Sequence, residues 1–499
     1  MKFARLFPIL VVSISAYSTP LPQMEGLAVK SQQAKQLMAE GKFRQAIAVY
    51  RELNEAVPNN PGLKLNLGMA LHLAGKKREA IPELEQAVKL DPQLAPAWLF
   101  LGTTRLQLGE TAAAIKPLRT VLQLQPEQHQ ARKMLADALL SLGRLEDAGA
   151  EYHRLATEDP RNAEAWYGLG RSYELLSSVT FEQLQKLVPE SGFVLSLLAE
   201  ARLREQQFSS AFYLYRRALE WMPDLHGLHS AVAEIYRETG HPDWAETEQQ
   251  REGALPSLDC RSPTLECYFI TGHYDDLIAA TKPTKTPESF YWTTRAYNEL
   301  ALTAFDRLGQ LPPSPELHEL KARIYNNQKK YSEAAAEWRK ALELSPADMQ
   351  IKKDLALSLK LAEDYGAALP LFQELLRQQP DSPEFNYFVG DTLLDLQQTK
   401  EALPLLKRAV AGDPKSLAAH KALARCELAT EEPANAISHL KLVLASDEDG
   451  TLHYQLAQAY RANGQIELSK KMLSIYESMQ RSIAARNEAA KQETDIRAP

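Results

Sequence analysis

Cys260, Cys267 and His273, seven and then six positions apart, form the one local cluster of thiol and imidazole groups in this sequence. Three chemistries are open to them: a disulfide, two free thiols, or a metal site. A structural zinc normally takes four protein ligands, and this stretch offers three. A disulfide between Cys260 and Cys267 is therefore the favoured reading. On the chain-entropy account a loop that small adds roughly 2–3 kcal/mol of stability. His226 and His229, three apart on one helix, are the best-placed metal pair among the histidines. No third ligand lies near them, so solvent-facing imidazoles are the favoured reading. Cys426, inside a helical pattern, reads as a small buried apolar residue. No paired-histidine zinc helix, phosphate-cradling glycine loop or nucleophile elbow occurs. The expectation is a non-catalytic protein with no cofactor and no metal.

The elements that must position any functional surface repeat along the chain. Pro58, Pro92, Pro126 and Pro160 stand 34 residues apart. Gly41, Gly75, Gly109 and Gly143 keep the same step, as do Ala46, Ala80, Ala114 and Ala148, and Gly68, Gly102, Ala136 and Gly170. Four registers with one period mark a repeated unit. Each unit holds two stretches with helical apolar spacing, such as Leu67 and Leu71, or Leu101 and Leu108. Gly75 and its equivalents fall between the stretches, where one helix ends and the chain reverses. The small residues at 68 and at 46, with their equivalents, let neighbouring helices approach closely. The proline stops the second helix. One helix pair cannot bury its own apolar faces, so successive pairs must stack.

The set Trp98, Leu101, Gly102, Gly109, Ala114, Leu118 and Pro126 resembles the tetratricopeptide repeat. Trp166, Leu169, Gly170 and Tyr173 repeat its first half. The match returns with Ala334, Trp338, Ala341 and Pro346, then Ala368, Phe372 and Pro380, then Gly390, Ala402, Ala409 and Pro414. The resemblance is to an exported, bacterial-type protein of many repeats. It implies an all-α fold: a right-handed superhelical solenoid of about 14 antiparallel helix pairs. The expected organisation is an N-terminal array over 27–257, degenerate repeats over 258–314, read as simple sequence drift with a bend as the alternative, a C-terminal array over 315–483 and a polar tail over 484–499. Within it, unit 163–191 is short, with a brief second helix around Phe181 to Leu187. Residues 253–290 are the least regular, with short helices around Thr264 to Thr271 and Asp275 to Ala280. Phe290 to Leu308 reads as one long helix or a tight pair. Gln492 to Pro499 is expected to be disordered.

The first 18 residues read as an export signal. Lys2 and Arg5 precede an apolar run from Leu6 to Ala16, and Ala16-Tyr17-Ser18 suits a cut after Ser18. The expected location is periplasmic or secreted, with no membrane span once the signal is removed. The 57 basic and 64 acidic side chains give a formal net charge of -7, which offers no electrostatic case for nucleic acid.

In the family it resembles, the first helix of each pair lines a concave groove. The slots it implies in the N-terminal array are Leu65, Met69, His72 and Leu73; Leu99, Thr103, Leu106 and Gln107; Lys133, Asp137 and Leu140; then Tyr167, Arg171 and Glu174. They are rich in apolar side chains, as a binding strip would be. In the C-terminal array they are Arg323 and Asn326; Lys353 and Lys360; Tyr387 and Asp391; then Lys421 and Arg425. Basic residues dominate there, which suits an acidic or carboxylate-bearing partner; solvated charges are the other reading. The cation and asparagine pattern with which some relatives grip a chaperone's terminal carboxylate is missing from any three consecutive units. The implied function is a scaffold that binds a peptide or helix of a protein partner in the groove. The alternative is a permanent structural subunit of a cell-envelope assembly or export machine.

Overall fold

The structure, a computed structural model, describes residues 21–493 and 495–499; the expected signal segment lies outside the described residues. Those residues form 26 α-helices, with no strand among them. The helices up to the middle of the chain are α1 Leu21–Ala39, α2 Phe43–Ala56, α3 Pro61–Leu73, α4 Lys77–Leu90, α5 Ala95–Gln107, α6 Thr111–Leu124, α7 His129–Ser141, α8 Leu145–Glu158, α9 Ala163–Leu187, α10 Gly192–Arg204, α11 Phe208–Trp221, α12 Leu228–Glu238 and α13 Pro242–Gly253. They are followed by α14 Leu265–Ile270, α15 Tyr274–Thr281, α16 Pro287–Gly309, α17 Pro315–Asn327, α18 Tyr331–Leu344, α19 Met349–Leu361, α20 Tyr365–Gln378, α21 Pro383–Asp395, α22 Thr399–Gly412, α23 Leu417–Ala429, α24 Pro433–Val443, α25 Thr451–Ala462 and α26 Ile466–Glu493. From α1 to α8, and again from α17 to α26, each helix packs on the next in chain order. This is the tandem all-α arrangement that the 34-residue period requires. None of these helices is long and apolar enough to cross a membrane.

The chain divides into two compact units. One takes the described residues up to Ser178 together with Tyr297–Arg307, and the other takes Val179–Ala296 with Leu308–Pro499.

The period has a hydrogen-bonding basis as well as an apolar one. First helices begin at Asn60, Asn162, Ser314, Asp348, Ser382 and Ser416, whose side chains accept from backbone N–H groups of the first turn. Each such bond satisfies a donor the helix cannot. The repeat-closing prolines leave their carbonyls free to be claimed from six residues on. Trp98 and Trp166 donate indole N–H groups to Pro92 and Pro160 at 2.9 and 3.0 Å, Arg132 donates to Pro126 at 2.7 Å, and Asn386 to Pro380 at 3.0 Å. Inside a repeat, first and second helices are latched by polar pairs 19 residues apart. These are Lys64–Glu83 and Arg132–Glu151, each at 2.8 Å, His229–Glu248 at 2.5 Å and His318–Glu337 at 2.7 Å.

The small residues behave as their register predicts. A methyl at Gly68, Gly102 or Gly390 would lie 2.6–2.9 Å from Leu84, Leu118 or Leu406 of the paired helix. The left-handed turn between helices is more general than its glycines. Gly41, Gly75, Gly109 and Gly143 have positive φ, and so do Lys329, Glu363, Gln397 and Glu431, which keep the 34-residue step in the later repeats. The reversal demands that backbone, and non-glycine residues adopt it at some cost.

Two stretches are each built as one long helix, the first against expectation and the second as one of its two expected readings. Residues 163–191 do not hold a helix and a brief second one: α9 is a single helix of 25 residues. Ser177-Ser178-Val179-Thr180 supplies neither glycine nor proline, so nothing ends the helix there. Likewise 287–314 holds one long helix, α16. α9 and α16 pair with each other, antiparallel. In the first unit Tyr173 stacks on Tyr297 at 6.1 Å, Ser177 Oγ donates to Asn298 at 2.6 Å, and Phe305 fills the space beside Gly170. In the second, Leu184, Tyr291 and Trp292 share one apolar cluster with Val194, Leu197 and Leu277. Each helix thus finds its partner more than a hundred residues away.

Candidate functional site

In the first unit α3, α5 and α7 lie side by side. Of the slots expected to face a partner, Leu65 and His72 are buried. Met69, Leu99, Leu106 and Leu140 are half-buried, and Leu73 is 45% exposed. His72 Nδ1 and Thr104 Oγ1 share a hydrogen bond at 2.8 Å, tying α3 to α5, and burial lowers the imidazole's proton affinity. Lys133 is held between Asp137 at 3.1 Å and Glu164 at 3.6 Å, and Tyr152 donates to Asp137 at 2.5 Å. Tyr167 packs on Phe305 at 6.4 Å, and Arg171 pairs with Glu174 at 2.5 Å. The apolar slots thus lie on helices that pack side by side, α3, α5 and α7, while the polar slots lie on α7 and α9.

In the second unit three cations of the expected basic strip are paired with carboxylates of neighbouring first helices. Lys353 pairs with Glu384 at 3.3 Å. Lys360 bridges Asp391, at 3.1 Å, and Asp395, and Arg425 reaches the same two carboxylates at 3.3 and 2.9 Å. The network links α19, α21 and α23. Burial alone would lower the Lys360 ammonium, but Asp391 and Asp395 hold it above its ordinary range. Burial alone would raise the Asp395 carboxyl, but hydrogen bonds from Lys360 and Arg425 hold it below. Burial, then Asp391, drives the Tyr387 phenol upward. Asn326 and Ser358 tie α17 to α19 at 3.1 Å, and Arg323 influences the half-buried Asp354. Counting cations at the slots omits Glu384 and Asp395, which pair with Lys353, Lys360 and Arg425. The signal available in the sequence is the 34-residue step from Asp391 to Arg425.

Cys260 and Cys267, seven positions apart in sequence, are bonded, with Cα atoms 5.5 Å apart. Cys267 is buried on α14, while Cys260 lies in the irregular stretch before it. Cys426 is a buried free thiol. Reducing the disulfide should cost about 2–3 kcal/mol locally. Limited proteolysis with and without dithiothreitol reads this directly: cleavage within 254–264 should accelerate on reduction and in Cys260→Ser. An unchanged cleavage rate would show that the bond constrains nothing.

His226 and His229 do not face solvent as a pair. His226 bonds Glu266 and the Pro256 carbonyl, both at 3.1 Å, and His229 latches to Glu248. Among the described residues no group of three histidine, cysteine or acidic side chains is arranged to hold a metal.

Family models described as tetratricopeptide repeat match residues 37–102, 359–426 and 393–459, residues 99–160 and 133–180, and residues 315–348. Together they cover more than half of the chain. No curated protein matches it. Among solved structures, MamA (41-end) from Desulfovibrio magneticus RS-1 is 20% identical over 34% of this chain and 96% of its own, with a TM-score of 0.31. A tetratricopeptide repeat protein from Parabacteroides merdae is 14% identical over 67% of this chain and 99% of its own, with a TM-score of 0.32.

Proposed function

The chain belongs to the tetratricopeptide repeat family, and from that premise we propose that it is a non-catalytic scaffold. Its first-helix face on α3, α5 and α7 captures an apolar-faced helix or extended segment of a partner protein. Repeats of this kind support protein interaction in general; the residues decide which face does so here. The carrying observation is the contrast between the two units. The first presents Met69, Leu73, Leu99, Leu106 and Leu140 next to one another and incompletely covered. The second spends three of its slot cations, Lys353, Lys360 and Arg425, on its own carboxylates. A contiguous apolar strip is worth covering, whereas a neutralised network has already found its partners.

Photo-crosslinking residues introduced at 73 and 106 in the native cell, with mass spectrometry of the adducts, test the reading. One partner should be captured from both positions and from none on the second helices. The double variant Leu73→Asp and Leu106→Asp should weaken its binding at least tenfold, since each leucine buried at an interface is worth about 1.5–3 kcal/mol. Its melting should change little, because neither side chain is fully buried. Adducts spread evenly over both helix faces would sink the proposal.

We place the protein in the periplasm or the medium. The expected signal and the Cys260–Cys267 bond support this, since disulfides persist in oxidising compartments. Cell fractionation should recover a chain beginning at Thr19; a cytoplasmic chain retaining Met1 would count against it.

A further inference from the structure

Ile496 and Arg497, near the end of the chain, are seated against the second unit. Ile496 packs into an apolar cluster with Leu203, Phe208, Phe212, Tyr236 and Trp244, and Tyr236 Oη donates a 2.5 Å hydrogen bond to the Arg497 carbonyl, 261 positions away. The seat lies in the second unit where α10 and α12 end and α11 and α13 begin. It is stiff: Trp244 stacks on His241 with centroids 4.2 Å apart and planes 10° apart, Tyr236 meets Trp244 edge-on at 5.5 Å, and Phe212 lies 5.4 Å from Tyr236. Tyr236 is fully buried, and a buried phenol needs an acceptor. It finds one on a main chain that is not its neighbour in sequence.

Within 495–499 these two features are the ones that meet the aromatic seat. Asp495, Arg497, Ala498 and Pro499 are exposed, and Ile496 alone is half-buried. One branched aliphatic side chain and one main-chain carbonyl are features of extended segments in general, and rigid aromatic seats that read them are a recurring way to hold a peptide. We propose that the Tyr236–Trp244 seat is a second peptide-docking site, independent of the α3–α5–α7 face, for an extended segment of a partner protein bearing a branched aliphatic residue, and that residues 495–497 are its resident competitor. Tethered to the same chain, the resident acts at a high effective concentration, so a partner segment must outcompete it. The seat is closed by default and opens to a segment that matches Ile496 and adds contacts that the tail lacks.

A labelled peptide spanning 491–499, followed by fluorescence anisotropy, tests this with the mature chain and with a variant ending at Glu493. The shortened variant should bind the peptide saturably, and the longer chain at least tenfold more weakly. The peptide carrying Ile496→Asp should fail to bind the shortened variant. Tyr236→Phe in the shortened variant should bind about three- to tenfold more weakly while its thermal melt, followed by circular dichroism, stays within a few degrees. Equal binding by the longer and shortened chains, no binding by either, or undiminished binding of the Ile496→Asp peptide would each overturn the proposal. None of these outcomes bears on crosslinks from 73 and 106, which lie in the other unit.

Discussion

Trp292→Ala should destabilise the second unit by about 3–5 kcal/mol, the range for emptying a large aromatic from a closed core. Trp292 is 2% exposed and is the largest fully buried side chain of the described residues. It meets Tyr291 at 4.9 Å and Phe269 at 5.3 Å, and the Arg295 guanidinium lies 5.3 Å from its ring centre and 4.2 Å from that of Phe269. Arg295 is itself largely buried, its charge answered by Glu200 at 3.7 Å and by these aromatic faces. Removing the indole opens a cavity where α9, α10, α15 and α16 converge, and it strips one cation–π partner from a largely buried charge. α9 and α16 have no local second helix to fall back on, so their pairing carries the loss. Trp221, 65% exposed at the end of α11, is the control: Trp221→Ala should stay within about 0.5 kcal/mol. Urea denaturation followed by circular dichroism separates the two. Equal effects would show that the α9–α16 cluster is not the core described here.

Glu427→Gln should stabilise the repeat of α23 and α24 by about 2–3 kcal/mol at pH 8 and leave it nearly unchanged below pH 4.5. In this repeat the latch found elsewhere is altered. Where Glu83, Glu151, Glu248 and Glu337 stand 19 residues after a cation or histidine, His439 follows His420. His420 Nε2–H donates to the Pro414 carbonyl at 3.0 Å, so its Nδ1 accepts, and His439 Nδ1–H donates to it at 2.8 Å. Burial, then His420 and Lys407, lowers the proton affinity of His439. Glu427 lies beneath, 2% exposed, with Oε1 3.7 Å from His439 Nε2 and Oε2 buried without a hydrogen-bond partner. Burial, then the nearby Glu432 carboxylate, pushes the Glu427 carboxyl up to about 7, with Lys407 opposing. A carboxyl raised on folding favours the fold fully below its unfolded value near 4.5 and loses that contribution as pH climbs through 7. Wild-type stability should therefore fall over that window, and the neutral amide should remove the fall. The lowered His439 acts oppositely, losing its contribution as pH drops below about 6.5, and it persists in the variant. Denaturation at pH 5 and pH 8 of both proteins measures the difference; parallel pH profiles would refute the assignment.

The sequence by itself determined the element type, the period and the turns. Prolines at 58, 92, 126 and 160 end helices by lacking an N–H, and the small residues at 68, 102 and 390 decide where helices close on each other. These are effects of the residue itself or of neighbours within one repeat, so spacing reveals them. The slots Met69, Leu99, Leu106 and Leu140 came instead from the resemblance to the repeat family, carried over register by register, and the structure leaves each of them half-buried. Only the tertiary structure decided what reaches across repeats. The Lys360–Asp391–Asp395–Arg425 network neutralises the middle of the expected basic strip, because the sign of a surface depends on which charges meet and not on which slots hold cations. The α9–α16 pair and the seat of Ile496 against Tyr236 join segments more than a hundred residues apart. Their apolar faces could be satisfied by many partners, and nothing in local spacing records which one is nearest once the chain has folded.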